Sequence, residues 1–203
     1  MPRTAFRTAL IVAALCAPAV AQNPVLISQF SGGPGVTEGS VGLGVSISRA
    51  FITSDDGRFV AFAVQGENFA GSAYVRDRWT GETELISVSP DGQNGDYLSQ
   101  RPMMSHDGRF VVFESGAGNL VPDDDNSQTD IFIRDRLLGT TELVSRSLSG
   151  VGSANLGSLL LTASRDANVI IFASYAVDLV EADPGAPGPE LYAYDRRTDG
   201  ITM

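Results

Sequence analysis

Three stretches of the chain are apolar at almost every position: FVAFAV from Phe59, FVVFE from Phe110 and VIIFA from Val169. Strict alternation of apolar and polar residues marks a half-buried strand. A short continuous apolar run between turn residues marks a strand covered on both faces. No stretch of useful length keeps the 3.6-residue period of an amphipathic helix. Further short segments rich in β-branched and aromatic residues flank each run and end at Gly, Asp, Asn or Pro. In the middle of the chain the pattern predicts four strands, near Leu98–Met104, Arg109–Glu114, Asp130–Arg136 and Thr141–Ser147.

The pattern repeats. RDRWTGETELISV from Arg76 returns as RDRLLGTTELVSR from Arg134 and, worn, as YDRRTDGITM from Tyr194. Ahead of it run SDDGRFVAF from Ser54, SHDGRFVVF from Ser105 and SRDANVIIF from Ser164. From Asp77 to Asp135 to Asp195 the periods are 58 and 60 residues, the mark of one supersecondary unit stacked on copies of itself. Asp56-Gly57 and Asp107-Gly108 are tight hairpin turns, in which Gly takes the positive φ without steric penalty. Unit three has Asp166-Ala167-Asn168 instead. A left-handed Ala costs about 1–2 kcal/mol, so Asn168 is expected to take that place or the turn to widen. The segment 25–30, with Leu26-Ile27-Ser28, matches the fourth strand of a unit and stands as an orphan outer strand.

The SxDGRFVAF turn and strand, the VPxDxNxxxDIFxRDR stretch and the DRxTGxTxLVS hairpin resemble the bacterial TolB-like, WD40-like β-propeller repeats of the PD40 type. The resemblance covers about Val25 to Met203. It implies an all-β fold, a propeller segment of about three four-stranded blades at 40–90, 91–148 and 149–203, from a ring that typically has six. It also implies an exported protein that binds partners in the envelope or outside the cell. Unit three breaks off as its fourth strand begins. The expectation is either further blades in a longer protein or self-association of two chains.

Composition adds an address and excludes some partners. Arg3 and Arg7, the apolar run Ala9–Ala17 and the small residues Ala19-Val20-Ala21 have the order of a secretory signal peptide over residues 1–21. Its apolar run is too short for the roughly 20 residues a membrane span needs. Removing it takes away two arginines and Cys16, so residues 22–203 carry a net charge of −12 in place of −10 and contain no cysteine. No lysine occurs anywhere. An acidic chain without a basic stripe argues against nucleic acid or anionic lipid as a partner and favours solubility outside the cytoplasm. The partner expected of an exported binding module is a protein or a cell-envelope polymer.

Candidate chemistry is sparse. Asp123, Asp125 and Asp130 offer oxygen ligands suited to a structural Ca²⁺. The alternative is an acidic turn whose Asp and Asn side chains cap their own backbone. His106 is the single histidine and has Asp55 and Arg165 as counterparts, which makes it a turn residue. Trp79 stands in a turn as a candidate exposed binding aromatic. The Arg-Asp-Arg triplets read as strand ends, each Asp organising the next turn and each Arg pairing with a neighbouring blade. No GxSxG elbow, HExxH pair or phosphate-cradling loop is present, and no catalytic residue is assigned. The function read from these features is a non-enzymatic exported binding or scaffolding module. Its alternatives are a fragment of a propeller hydrolase or lyase, or a truncated product without function. Mass spectrometry of the exported form is expected to find Gln22 as its first residue; a species keeping residues 1–21, or one beginning at a lipidated Cys16, contradicts this.

Overall fold

The computed structural model describes residues 52–65, 71–181 and 187–203. The expected signal peptide, the orphan strand at 25–30 and the start of the first unit lie outside the described residues. The described residues form three antiparallel sheets, each laid down strand by strand in chain order. The first contains β1 (Phe59–Gln65), β2 (Gly71–Asp77) and β3 (Thr83–Leu85). Thr53 bridges Val60 on the free side of β1. The second contains β4 (Ser99–Met104), β5 (Phe110–Ser115), β6 (Asp130–Asp135) and β7 (Thr140–Leu143). The third contains β8 (Ser158–Ala163), β9 (Val169–Ser174), β10 (Glu190–Asp195) and β11 (Gly200–Thr202). All four strands expected in the middle of the chain are present.

The sheets stack face to face, as blades of a β-propeller do, and this stacking explains the continuous apolar runs. Side chains on β5 alternate between two cores. Val111 and Phe113 enter the core shared with blade 1, beside Ala61, Ala73 and Val75. Val112 enters the core shared with blade 3, beside Leu160, Ile170 and Phe172. Neither face of β5 meets water, so both are largely apolar. A stacked aromatic pair bridges the two middle strands of every blade: Phe62–Tyr74, Phe113–Phe132 and Phe172–Tyr192, with ring centroids 5.6–5.8 Å apart.

The first turn of each blade is the same device three times. In blade 2 the Ser105 hydroxyl donates to Asp107 Oδ1 and accepts from the Phe110 N–H, while Asp107 Oδ1 also accepts from the Arg109 N–H. Ser54 and Asp56, and Ser164 and Asp166, repeat it. The expectation for unit three is corrected: Ala167 itself adopts the left-handed conformation, at φ 53°, and the turn stays tight. Three hydrogen bonds that the Asp166 carboxylate accepts, and the buried Ala167 methyl, offset the backbone strain. At Gly108 glycine is required twice over. Its φ is 74°, and a Cβ there would lie 2.5 Å from the Phe59 ring of the preceding blade.

Blade 3 shows what the next seam consists of. Ile131 on β6 is 0% exposed because blade 3 covers it, whereas Leu191, its counterpart on β10, is 61% exposed. Leu159 lies in the same cross-strand row as Leu191, through Ala173, and is exposed with it. Urea unfolding is therefore expected to find that Ile131→Ala costs about 2–5 kcal/mol, and Leu191→Ala less than about 1 kcal/mol. Equal costs mean that the outer face of blade 3 is covered in solution.

Candidate functional site

The Asp of each Arg-Asp-Arg triplet holds its turn as expected. Asp77 Oδ1 accepts from the Trp79 and Thr80 N–H groups, and Asp135 Oδ1 from those of Leu137 and Leu138. Arg58 grips the other oxygen of Asp77 at 2.7 Å and holds its carboxyl down at about 2. Arg109 grips Asp135 likewise at 2.6 Å. In unit three Asn168 replaces that arginine, and Asp195 pairs with Arg197 instead, at 2.6 Å. Trp79 is exposed, with the Arg58 guanidinium 4.9 Å from its ring.

The triplet's last arginine reaches across the seam. Arg136 binds Glu84 of blade 1 at 2.8 Å and lies 4.4 Å over Phe59. Arg196 repeats the stacking 3.5 Å over Phe110 of blade 2. Both phenylalanines also carry their own blade's arginine, Arg58 or Arg109, at 4.6 and 4.7 Å. Each ring is thus a cation–π contact for guanidinium groups of two blades.

Between blades 2 and 3 this seam opens into a cleft of about 840 Å³. Arg109, Phe110, Asn168, Arg196 and Arg197 are among its lining residues, with Asp123 of the acidic loop. Arg146, also on the lining, is paired with Asp199, which also accepts from the Tyr194 hydroxyl at 2.9 Å. Burial, with Asp199 beside it, pushes that phenol up to about 12. Three guanidiniums on the walls therefore have a carboxylate. Arg196 has none among the described residues; it donates to the Asn168 side-chain oxygen at 2.6 Å and stacks on the Phe110 face.

The acidic loop that rims the cleft is arranged differently from the expected ligand set. Asp123 and Asp125 are exposed, while Asp124 and Asp130 turn inward. Asp130 accepts from the Ser145 hydroxyl at 2.6 Å and from the Asn126 amide at 2.9 Å, and burial raises its carboxyl to about 7. Asn126 Oδ1 caps the Gln128 N–H at 2.6 Å, so part of the loop is the capped turn held as the alternative. Among the described residues no three His, Cys, Asp or Glu groups converge as a metal centre. His106 is a turn residue that links blades through its backbone. Its carbonyl accepts from the Asp55 N–H at 2.8 Å, and its own N–H donates to the Arg165 carbonyl at 2.7 Å.

Solved structures of similar arrangement include TolB from Acinetobacter baumannii, at 18% identity over 74% of this chain and 30% of that one, with a TM-score of 0.48. The β-propeller domain of the Trilobed protease from Pyrococcus furiosus is similar at 10% identity over 72% of this chain and 38% of that one, also at 0.48. The fold is a β-propeller segment. The chain spans less than half the length of either protein. No protein-family model and no curated protein sequence matches it. Among the described residues no helix is long and apolar enough to cross a membrane.

One buried charge escaped the repeat reading. Glu114 stands on β5 where the other blades have Ala63 and Ala173, and it is 0% exposed. Its carboxylate accepts from the Leu160 N–H of blade 3 at 2.6 Å, from Gln100 at 3.0 Å and from Arg101 at 3.3 Å. Arg101 sits beside the β4 bulge with φ 50°, a strained conformation for a non-glycine residue. The signal was legible as a carboxylate inside an apolar run. Burial raises the Glu114 carboxyl above 4.5, against the pull of Arg101 and the Leu160 N–H. A carboxyl raised on folding holds its proton more tightly folded than unfolded. Its contribution is full below the unfolded value and is lost as pH rises through the folded one. Glu114→Gln keeps the acceptor for Leu160 and removes this loss. Its stability relative to wild type is expected to rise from pH 4 to pH 8 in urea unfolding; a flat or falling difference contradicts the assignment.

Proposed function

We propose that the protein is an exported binding module that takes an acidic segment of a partner protein into the cleft between blades 2 and 3. One observation carries this reading: Arg196 stands on the cleft wall, seated on Phe110, with an amide oxygen where its neighbours have a carboxylate. A partner's carboxylate would complete the pattern that Arg109 and Arg197 make with Asp135 and Asp195. The contact would be strong, because a charge-assisted hydrogen bond exceeds a neutral one about twofold. Phe110, half-buried on the cleft wall, supplies apolar contact beside it. Propellers commonly present binding surfaces through such inter-blade loops, but function resides in the site and not in the fold. The order of residues 1–21 supports delivery across the inner membrane.

The test is capture from a cell-envelope fraction on the immobilised chain from Gln22, with bound material identified by mass spectrometry. Arg196→Ser is expected to weaken capture at least tenfold, as loss of a charge-assisted contact worth about 1.5–3 kcal/mol implies. Arg165→Ser, on an exposed arginine outside the cleft, is the matched control and leaves capture unchanged. Retention of polysaccharide in place of protein turns the reading to an envelope polymer. Equal capture by wild type and Arg196→Ser overturns the cleft as the site.

A further inference from the structure

The acidic loop holds a feature that neither the fold nor the cleft explains. Asp124 is 9% exposed, and both of its carboxylate oxygens are buried without a hydrogen-bond partner. A buried carboxylate without a partner is costly, because the desolvation of the charge is not offset. The charged neighbours that act most on it and on Asp130 are themselves acidic: Asp96 and Asp125 on Asp124, and Asp124 and Asp178 on Asp130. The Ser153 hydroxyl and the Asn126 N–H draw the Asp124 carboxyl in the other direction, but neither meets hydrogen-bond geometry with it.

We propose that Asp124 and Asp130 bind one hard divalent cation, Ca²⁺, between the acidic loop and the start of β6. Two carboxylates balance the charge of the ion. Neutral oxygens and water fill the rest of its six to eight positions, a donor set made only of oxygen and therefore suited to a hard ion. The Ser153 hydroxyl, which reaches Asp125 at 3.5 Å and acts on the Asp124 carboxyl, offers a neutral oxygen from the facing segment. Its N–H donates to the Asp123 carbonyl at 3.2 Å, which fixes the segment against the loop. Asp130 keeps free lone pairs after accepting from Ser145 and Asn126. The blade itself does not need a carboxylate there. Blade 1 has Ser72, also buried, at the position of Asp130, and Ser87 repeats the bond that Ser145 makes to the strand backbone. This pair differs from the set Asp123, Asp125 and Asp130 expected from sequence: it keeps Asp130 and adds the inward-facing Asp124, while Asp123 and Asp125 face solvent.

The experiment is calorimetric titration of CaCl₂ into the chelator-stripped chain from Gln22, with thermal melting in CaCl₂ and in chelator. One equivalent is expected to bind, and the melting temperature to rise by about 5 °C at saturation. Asp130→Ser, which installs the residue of blade 1, and Asp124→Asn are each expected to weaken binding at least tenfold and to remove the rise. Asp123→Asn retains both. In chelator, Asp124→Asn is expected to melt above wild type, because it removes the unpartnered charge. No heat of binding and equal melting up to about 10 mM Ca²⁺, a range that covers weak extracellular sites, overturn the proposal. So does a rise that survives in both Asp124→Asn and Asp130→Ser. Should neither variant fold, the wild-type titration alone decides.

Discussion

Each blade is a thin sheet with two apolar faces, and it is stable only where another blade covers them. That requirement sets most of the chain. It makes the second strand of every unit apolar throughout, since Val111 and Val112 face opposite cores and both are 0% exposed. It also fixes how closely the blades approach. Phe59 packs onto Gly108 with no room for a methyl group, so the neighbouring turn must carry glycine at that point. Burial of this kind, at about 25 cal/mol per Å² of apolar surface, is what holds one unit against the next.

Polar groups enter the seam only where they are matched. The serine and aspartate of each first turn satisfy one another and the backbone, and the triplet aspartate answers the arginine that begins the second strand. Blade 3 shows how the pattern survives the loss of one member. With Asn168 in place of that arginine, Asp195 turns to Arg197 and Arg196 takes the asparagine oxygen. One substitution thus reorganises three side chains. It leaves a guanidinium without a carboxylate, among the described residues, on the wall of the cleft between blades 2 and 3. Glu114 is a different case, a carboxyl added to one blade and hydrogen-bonded by the Leu160 N–H, Gln100 and Arg101, whose pull does not fully offset its burial.

The acidic loop differs from both. Four carboxylates lie within eight residues, and the two that face inward have acidic neighbours. Asp130 is held by hydroxyl and amide donors; Asp124 is held by none. Among the described residues, Asp124 is the carboxylate with both oxygens buried and unpartnered.

The strands, their order and the identity of the repeating turns were legible in the sequence, because periodicity and turn chemistry are local. A residue's distance from Asp-Gly or from Arg-Asp-Arg is enough to place it on a strand. The positive φ of Ala167 was not legible, since its strain is offset by three hydrogen bonds and a buried methyl group that become visible only after folding. The sequence also named the loop from Asp123 to Asp130, but it could not tell which carboxylates turn inward. That depends on the segment around Ser153 from the next blade, which packs against the loop. Glu114 was visible as a break in an apolar run, while its partner Leu160 lies 46 residues away on another sheet. Local pattern therefore determined the units and their turns. The tertiary structure alone decided which charges meet across a seam, because the seam joins residues that no short-range spacing relates.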